Sequence, residues 1–176
     1  KGTIFLILFM LLTQISNAKD TKPTSFIFNL KTYDYKQIDV TVAKQWKFSG
    51  YKNKIVILDF FATWCPPCKK SIPHLNTLKK DFKGKLEIIG LDIGNRDGSI
   101  NSKAKLKQFV KKYKISYPIT RGNANNEIFN GLIGLNRSGA IPFMVVFDKN
   151  GKYFTHYTGM VAKQRIYNDI SSLVKK

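Results

Sequence analysis

Only two cysteines occur among the 176 residues, and they sit together as Cys65-Pro66-Pro67-Cys68, directly after Phe60-Phe61-Ala62-Thr63-Trp64. Thiols at this spacing can close a disulfide with each other, join a larger metal-binding set, or exchange electrons with a disulfide elsewhere. A zinc site usually needs four ligands, and the sole histidines, His74 and His156, do not supply a second pair at ligand spacing. A purely structural disulfide closing so short a loop constrains the unfolded chain little. Redox exchange is favoured by what flanks the pair. Upstream, Ile55-Val56-Ile57-Leu58-Asp59-Phe60-Phe61 is a run of strand length and strand composition. Downstream, Ile72, Leu75, Leu78 and Phe82 recur at helical spacing between lysines and polar residues, with Gly84 as a stop signal. The turn from strand to helix therefore puts the Cys65 sulfur at a helix N-terminus, where unpaired N–H groups and the helix dipole stabilise a thiolate. Pro66 and Pro67 fall in the first turn, where a missing N–H costs little, whereas Pro73 falls inside the helix and predicts a kink.

The remaining chain reads as alternating strands and helices that can hold this turn in place. Phe26 to Leu30 and Ile38 to Val42 alternate partly and predict two strands, followed by a turn-rich approach from Lys47 to Lys54. Leu86 to Ile93 predicts a second buried strand, and Gly94 to Ser102 a polar loop. Lys103 to Tyr113 predicts a helix with Leu106, Phe109 and Val110 on one face. Tyr117-Pro118-Ile119 is an extended segment, and Asn125 to Leu132 a short helix. Phe143 to Phe147 and Tyr153 to Tyr157 predict a hairpin across Asp148 to Lys152, and Ala162 to Val174 a final helix with Ile166, Ile170 and Leu173 aligned. This order predicts an α/β fold, a mixed central sheet flanked by helices on both faces. The glycines at 131, 134 and 139 form neither a dinucleotide fingerprint nor a lysine-terminated phosphate loop. His74 and His156 have no hydrolase constellation around them and read as surface or packing residues.

An uninterrupted apolar run, Ile4 to Leu12, stands behind Lys1 and is followed by Ser16-Asn17-Ala18. The run is well short of the roughly 20 apolar residues that span a bilayer. It reads as a secretory signal peptide over residues 1–18, ahead of a single domain over 19–176, with an uncleaved membrane anchor as the alternative. That expectation places the protein in the periplasm or another extracytoplasmic space. In an oxidising compartment, a cysteine pair at a helix start reads as an exchange centre rather than a staple. The formal net charge is +19, from 30 Lys and Arg against 11 Asp and Glu. Only Arg96, Arg121, Arg137 and Arg165 are arginines; the lysines are spread through the helices without a nucleic-acid-binding motif. This composition predicts a solvated lysine-rich surface and no nucleic-acid partner.

Residues 55–73 resemble the active-site segment of the thioredoxin superfamily, and Trp64-Cys65-Pro66-Pro67-Cys68 resembles its TlpA/ResA-like extracytoplasmic branch. Asp59 stands where thioredoxins carry a buried carboxylate, and Pro73 matches the proline that kinks the first active-site helix. Ile141-Pro142 precedes a strand as the family's cis-proline does, and Asp148-Lys149-Asn150-Gly151 resembles the hairpin turn after that strand. The resemblance covers about residues 25–175 and implies a thioredoxin-like fold with an added N-terminal β-hairpin. It implies an exported thiol–disulfide oxidoreductase, with reduction of cysteines in apocytochrome c or other exported proteins favoured. A disulfide-forming oxidase and a non-enzymatic binding module are the alternatives. On the favoured reading Cys65 attacks as the thiolate, and Cys68, expected to be the more buried, resolves the mixed disulfide. Asp59, its pKa raised by burial, takes the proton of Cys68. Trp64, Pro66, Ile141 and Pro142 would receive the partner, with the Ile141 backbone bonding it by strand addition. The resemblance implies no cofactor and no metal, a membrane thiol–disulfide electron donor as second partner, and a monomer. Two places depart from the family. Phe143 follows Pro142 where a small hydroxyl residue is frequent, which leaves partner choice open. Leu91 to Gly98 offers Asp92 and Asp97 without a match to the glutamate of cytochrome-maturation members.

Overall fold

A strand that is apolar on both sides needs neighbours along both edges and a layer on each face, and β4 (Ile55–Phe61), buried at every position, is that strand here. The computed structural model describes residues 25–175, so the signal segment expected over 1–18 lies outside the described residues. In chain order the elements are β1 (Phe26–Thr32), β2 (Gln37–Val42), β3 (Lys47–Phe48), β4, α1 (Pro66–Asp81), β5 (Leu86–Asp92), α2 (Lys103–Tyr113), β6 (Ile119–Arg121), α3 (Asn123–Gly131), a 3-10 turn (Ile133–Leu135), β7 (Phe143–Phe147), β8 (Tyr153–Thr158) and α4 (Lys163–Lys175). The strands form one mixed eight-stranded sheet in the order β3-β2-β1-β6-β5-β4-β7-β8. Strand β4 is parallel to β5 and antiparallel to β7, so it is clamped on both edges.

Strand alternation divides β4 between two cores. Ile57 and Phe61 face a layer built from Ile72, Leu75 and Leu78 of α1, Leu106 and Phe109 of α2, and Ile166, Ile170 and Leu173 of α4; both cysteines belong to it. Val56, Leu58 and Phe60 face the opposite layer, where Ile128 of α3 meets Leu30, Ile38, Val40 and Phe48 from the N-terminal strands. Helices lie on both faces, as the sequence predicts, but β1 to β3 share with α3 the covering of the second face.

The two-residue strand β3 lies inside a stretch that reads only as turn-rich. It adds to β2 at Val40↔Phe48 and Thr41↔Lys47. Although β3 and β8 are the two edges of the sheet, the residue before β3 meets the β7–β8 turn. The Trp46 N–H donates to the Gly151 carbonyl at 2.8 Å, and the Trp46 ring lies 4.8 Å from that of Phe147. Gly151 has φ +77°, and a Cβ there would overlap the Trp46 carbonyl, so only glycine permits the contact. The helix predicted from Asn125 starts earlier, at Asn123, and gives way to the 3-10 turn after Gly131. Helix α1 continues through Pro73 to Asp81.

Candidate active site

Cys65 is the N-cap of α1. Its backbone is extended (φ −85°, ψ 108°), and its sulfur accepts the Cys68 N–H at 3.1 Å. Pro66 and Pro67 occupy the first two helical positions and have no N–H, so that bond is the main-chain donor the local sequence leaves to the sulfur. The pair is joined as a disulfide with the Cα atoms 5.3 Å apart. Cys68 is not the more buried of the two; both residues are 2% exposed. What distinguishes them is the cap geometry, because Cys65 alone receives an N–H at the helix start.

The Ile141–Pro142 peptide is cis. It brings the Ile141 carbonyl to 3.8 Å from the Cys65 sulfur, although the two residues are 76 positions apart in sequence. The Pro142 carbonyl is taken by the Gly159 N–H at 2.8 Å, which ties this segment to the end of β8. Trp64 is half-buried; its indole N–H donates to the Gly94 carbonyl at 3.0 Å, and the Arg96 guanidinium lies 4.4 Å from its ring. Pro66 is exposed beside it. Of the residues expected to receive a partner, Ile141 is the one whose contact with a sulfur is seen; Trp64 and Pro66 flank Cys65 in the chain, and Pro142 is buried.

Asp59 points to the same layer as Ile57 and Phe61, the layer that holds the cysteines. It is 2% exposed, and one carboxyl oxygen, Oδ1, has no hydrogen-bond partner. Burial pushes its pKa up to about 7, with the Tyr117 hydroxyl pulling in the opposite direction. Gly90 stands directly across from Asp59 in the parallel ladder. A Cβ on Gly90 would overlap Ile119 and lie 3.3 Å from ring carbons of Phe61 and Tyr117. The missing side chain makes room for Ile119 and keeps the rings of Phe61 and Tyr117 unstrained beside the strand. Burial, then the charge of Asp59, hold the Tyr117 hydroxyl well above the ordinary phenol range.

A second buried carboxylate supports the loop that leads to Cys65. Asn101 Nδ2 donates to both oxygens of Asp92, at 3.0 and 2.9 Å, and approaches Thr63 Oγ1 at 3.4 Å. Asn125 Nδ2 donates to the Asp92 carbonyl at 2.9 Å, and Arg121 Nε to the Asn101 carbonyl at 2.8 Å. Burial raises the Asp92 pKa, and the Asn101 hydrogen bond works against that rise. Asp97, by contrast, is exposed, and its side chain caps the turn at Ser99. Among the described residues no group of three or more His, Cys, Asp or Glu is placed to hold a metal ion.

Comparison with known proteins agrees with this geometry. Residues 27–168 match the family model described as AhpC/TSA. The chain belongs to the AhpC/TSA family. It is 31% identical over 124 residues to thiol-disulfide oxidoreductase ResA of Bacillus cereus, a match covering 70% of this chain and 65% of that relative. To ResA of Bacillus subtilis it is 27% identical over 139 residues, covering 78% of this chain and 71% of the relative. The chain thus spans somewhat under two thirds of the length of the first of these. Among solved structures, a thioredoxin-family thiol:disulfide interchange protein of Chlorobium tepidum superposes with a TM-score of 0.65 at 24% identity, covering 88% of this chain and 99% of that one. The fold is thioredoxin-like, with β1 to β3 added ahead of the core.

Phe143, the departure noted after Pro142, does not face the cysteines. Its side chain is fully buried in the opposite layer, stacked 5.5 Å from Phe60 and edge-on to Phe129. Gly90, Tyr117 and Asn101 are the site neighbours that sequence reasoning passes over. For Gly90 a signal exists, since a glycine inside a strand pattern marks a close approach. For Tyr117 and Asn101 there is none, because each reaches its carboxylate only through tertiary packing.

Proposed function

We propose that this AhpC/TSA-family chain is an exported thiol–disulfide oxidoreductase that reduces cysteines of exported proteins, apocytochrome c among them. The observation that carries the reading is the Cys65 sulfur set at the N-cap of α1 with the Cys68 N–H directed at it. A thiolate is favoured there, and it is the attacking species in exchange. The two prolines bear on direction. With no N–H from Pro66 or Pro67, the sulfur is held by one main-chain donor, so the thiolate is stabilised only moderately. Strong oxidants are those whose reduced form is strongly stabilised, so moderate stabilisation supports a reductase. The curated relatives named thiol-disulfide oxidoreductase ResA support the same class. The apolar run from Ile4 to Leu12 followed by Ser16-Asn17-Ala18 supports export.

In the proposed cycle the Cys65 thiolate attacks one sulfur of the partner's disulfide, and the other partner sulfur leaves and takes up a proton. Cys68 gives its proton to the Asp59 carboxylate, directly or through water, and attacks the Cys65 sulfur of the mixed disulfide. The partner's second thiolate leaves and is protonated, and Cys65–Cys68 is left oxidised. Two electrons have passed to the partner, and a membrane thiol–disulfide donor restores the dithiol. Trp64, Pro66, Ile141 and Pro142 frame the partner's approach to the sulfurs.

Insulin reduction with dithiothreitol as electron source tests the class: the wild type accelerates it and Cys65→Ser does not, while Cys68→Ala accumulates mixed disulfides. A wild type no faster than dithiothreitol alone rules out the activity. Equilibration against glutathione tests direction: a reductase has a potential below about −200 mV, and a value near roughly −120 mV identifies an oxidase.

A further inference from the structure

A groove of about 320 Å³ opens beside Trp64, between the start of α1 and the outer side of α2. Thr63, Trp64 and Phe109 line it, with Lys69 from α1 and Lys105 and Lys112 from α2. No acidic residue is among its lining residues. Phe109, one turn from each of Lys105 and Lys112, is buried and forms the floor of the groove, and the two lysines, two turns apart, stand exposed on either side of it. Lys105 Nζ donates to Asn95 Oδ1 at 2.6 Å, and none of the three lysines forms a salt bridge among the described residues. Asp92, hydrogen-bonded to Asn101, and Asp97, hydrogen-bonded to Ser99, are near enough to feel the Lys105 charge but neither lines the groove. Arg96 over the Trp64 ring adds a fourth cation at the rim.

Position gives these charges a consequence. Trp64 both lines the groove and precedes Cys65, so the groove lies next to the residue whose sulfur the partner joins. We propose that the groove receives an acidic stretch beside the partner's reacting cysteine, so that partners with Asp or Glu there are captured faster. The proposal rests on the thiol–disulfide reading above and names the class of partner it selects. Lysine ammonium groups on flexible stems suit it, since they meet carboxylates as mobile point charges without demanding one geometry. Each such exposed pair is weak, but several of one sign around a cleft raise the encounter rate.

The test separates the groove from the general positive charge of the chain. The reduced protein is mixed with peptides that carry one cysteine as a 2-thiopyridyl disulfide and differ only in having Glu or Gln on both sides of it. Attack by the Cys65 thiolate forms the mixed disulfide and expels pyridine-2-thiolate, which takes up a proton and is followed by its absorbance. The readout is the ratio of the Glu-peptide rate to the Gln-peptide rate, in which any change of thiol reactivity cancels. We expect a ratio of about ten at low ionic strength, falling toward one in roughly 0.5 M salt. In the triple variant Lys69→Gln/Lys105→Gln/Lys112→Gln it should drop to about two. The variant Lys47→Gln/Lys52→Gln/Lys149→Gln removes the same charge from a cleft at the other end of β4 and should keep the wild-type ratio. A wild-type ratio near one, or an equal fall in both triple variants, overturns the groove. Failure of the Gln peptide as well as the Glu peptide to react overturns the thiol–disulfide reading, and the proposal with it.

Discussion

Replacing Asp59 by asparagine should make the oxidised protein more stable at neutral and alkaline pH, although it removes a residue proposed for catalysis. The carboxyl is buried, with an ordinary pKa of 3.8 raised to about 7 in the fold. Between those values the folded state keeps a proton that the unfolded chain has lost, so wild-type stability falls as pH rises through the window and is level on either side. Each unit of pKa difference is about 1.4 kcal/mol, so the three-unit gap corresponds to about 4 kcal/mol lost by pH 8. The amide introduced by Asp59→Asn cannot ionise, so the variant escapes that loss. The same amide brings two N–H donors to a place where Oδ1 already lacks a partner, a cost of about 1–3 kcal/mol that does not vary with pH. The decisive quantity is therefore the slope of the difference. Urea unfolding of both oxidised proteins at half-unit steps should show Asp59→Asn gaining on wild type by about 1.4 kcal/mol per unit between roughly pH 4 and 7, then no further. Asp92, whose pKa is also raised, is common to both proteins and cancels. Parallel stability curves across this range would refute the assignment of a buried, proton-holding carboxyl.

In single-turnover acid-quench experiments, Asp59→Asn should slow resolution of the mixed disulfide more than the first attack, most strongly near about pH 6–7; equal resolution rates would make Asp59 a structural carboxyl only. In the reduced protein Cys65 should be alkylated before Cys68, with a pH midpoint below the free-thiol value of about 8.5. Peptide mapping of the label decides it, and preferential labelling of Cys68 reverses the roles. Gly151→Ala places a Cβ against the Trp46 carbonyl at φ +77° and should cost about 2–4 kcal/mol in urea unfolding. Asn101→Ala strips the Asp92 carboxylate of its Nδ2 donor; the loss, about 1–3 kcal/mol, should be greater at pH 8 than at pH 4, because only the ionised carboxylate needs that donor.

The strand-to-helix turn at Cys65 is legible in the sequence because everything that makes it is local: the apolar run of β4, two prolines suited only to a first helical turn, and helical spacing after them. The α2 boundaries are legible for the same reason, with Ser102 capping the helix start through the Lys105 N–H. Asp59 can be placed on a buried strand, but what sets its proton affinity cannot be read there. Its neighbour Tyr117 comes from a segment 58 residues away, and Gly90, paired with Asp59 across the parallel ladder, leaves room for Ile119 beside it. The equal burial of the two cysteines runs against the sequence expectation, since Cys65 is approached by the Ile141 carbonyl from a segment 76 residues away, a contact that no local pattern announces. The direction of Phe143 follows from alternation along β7 only once it is known which face carries α1. The two-residue strand β3 has no period to read, and its place is held by a hydrogen bond from Trp46 to Gly151, more than 100 residues away. Local backbone preference and hydrophobic period decide where an element starts and which stripe is apolar. Which stripes then meet depends on packing between segments far apart in the chain, and that appears only in the folded structure.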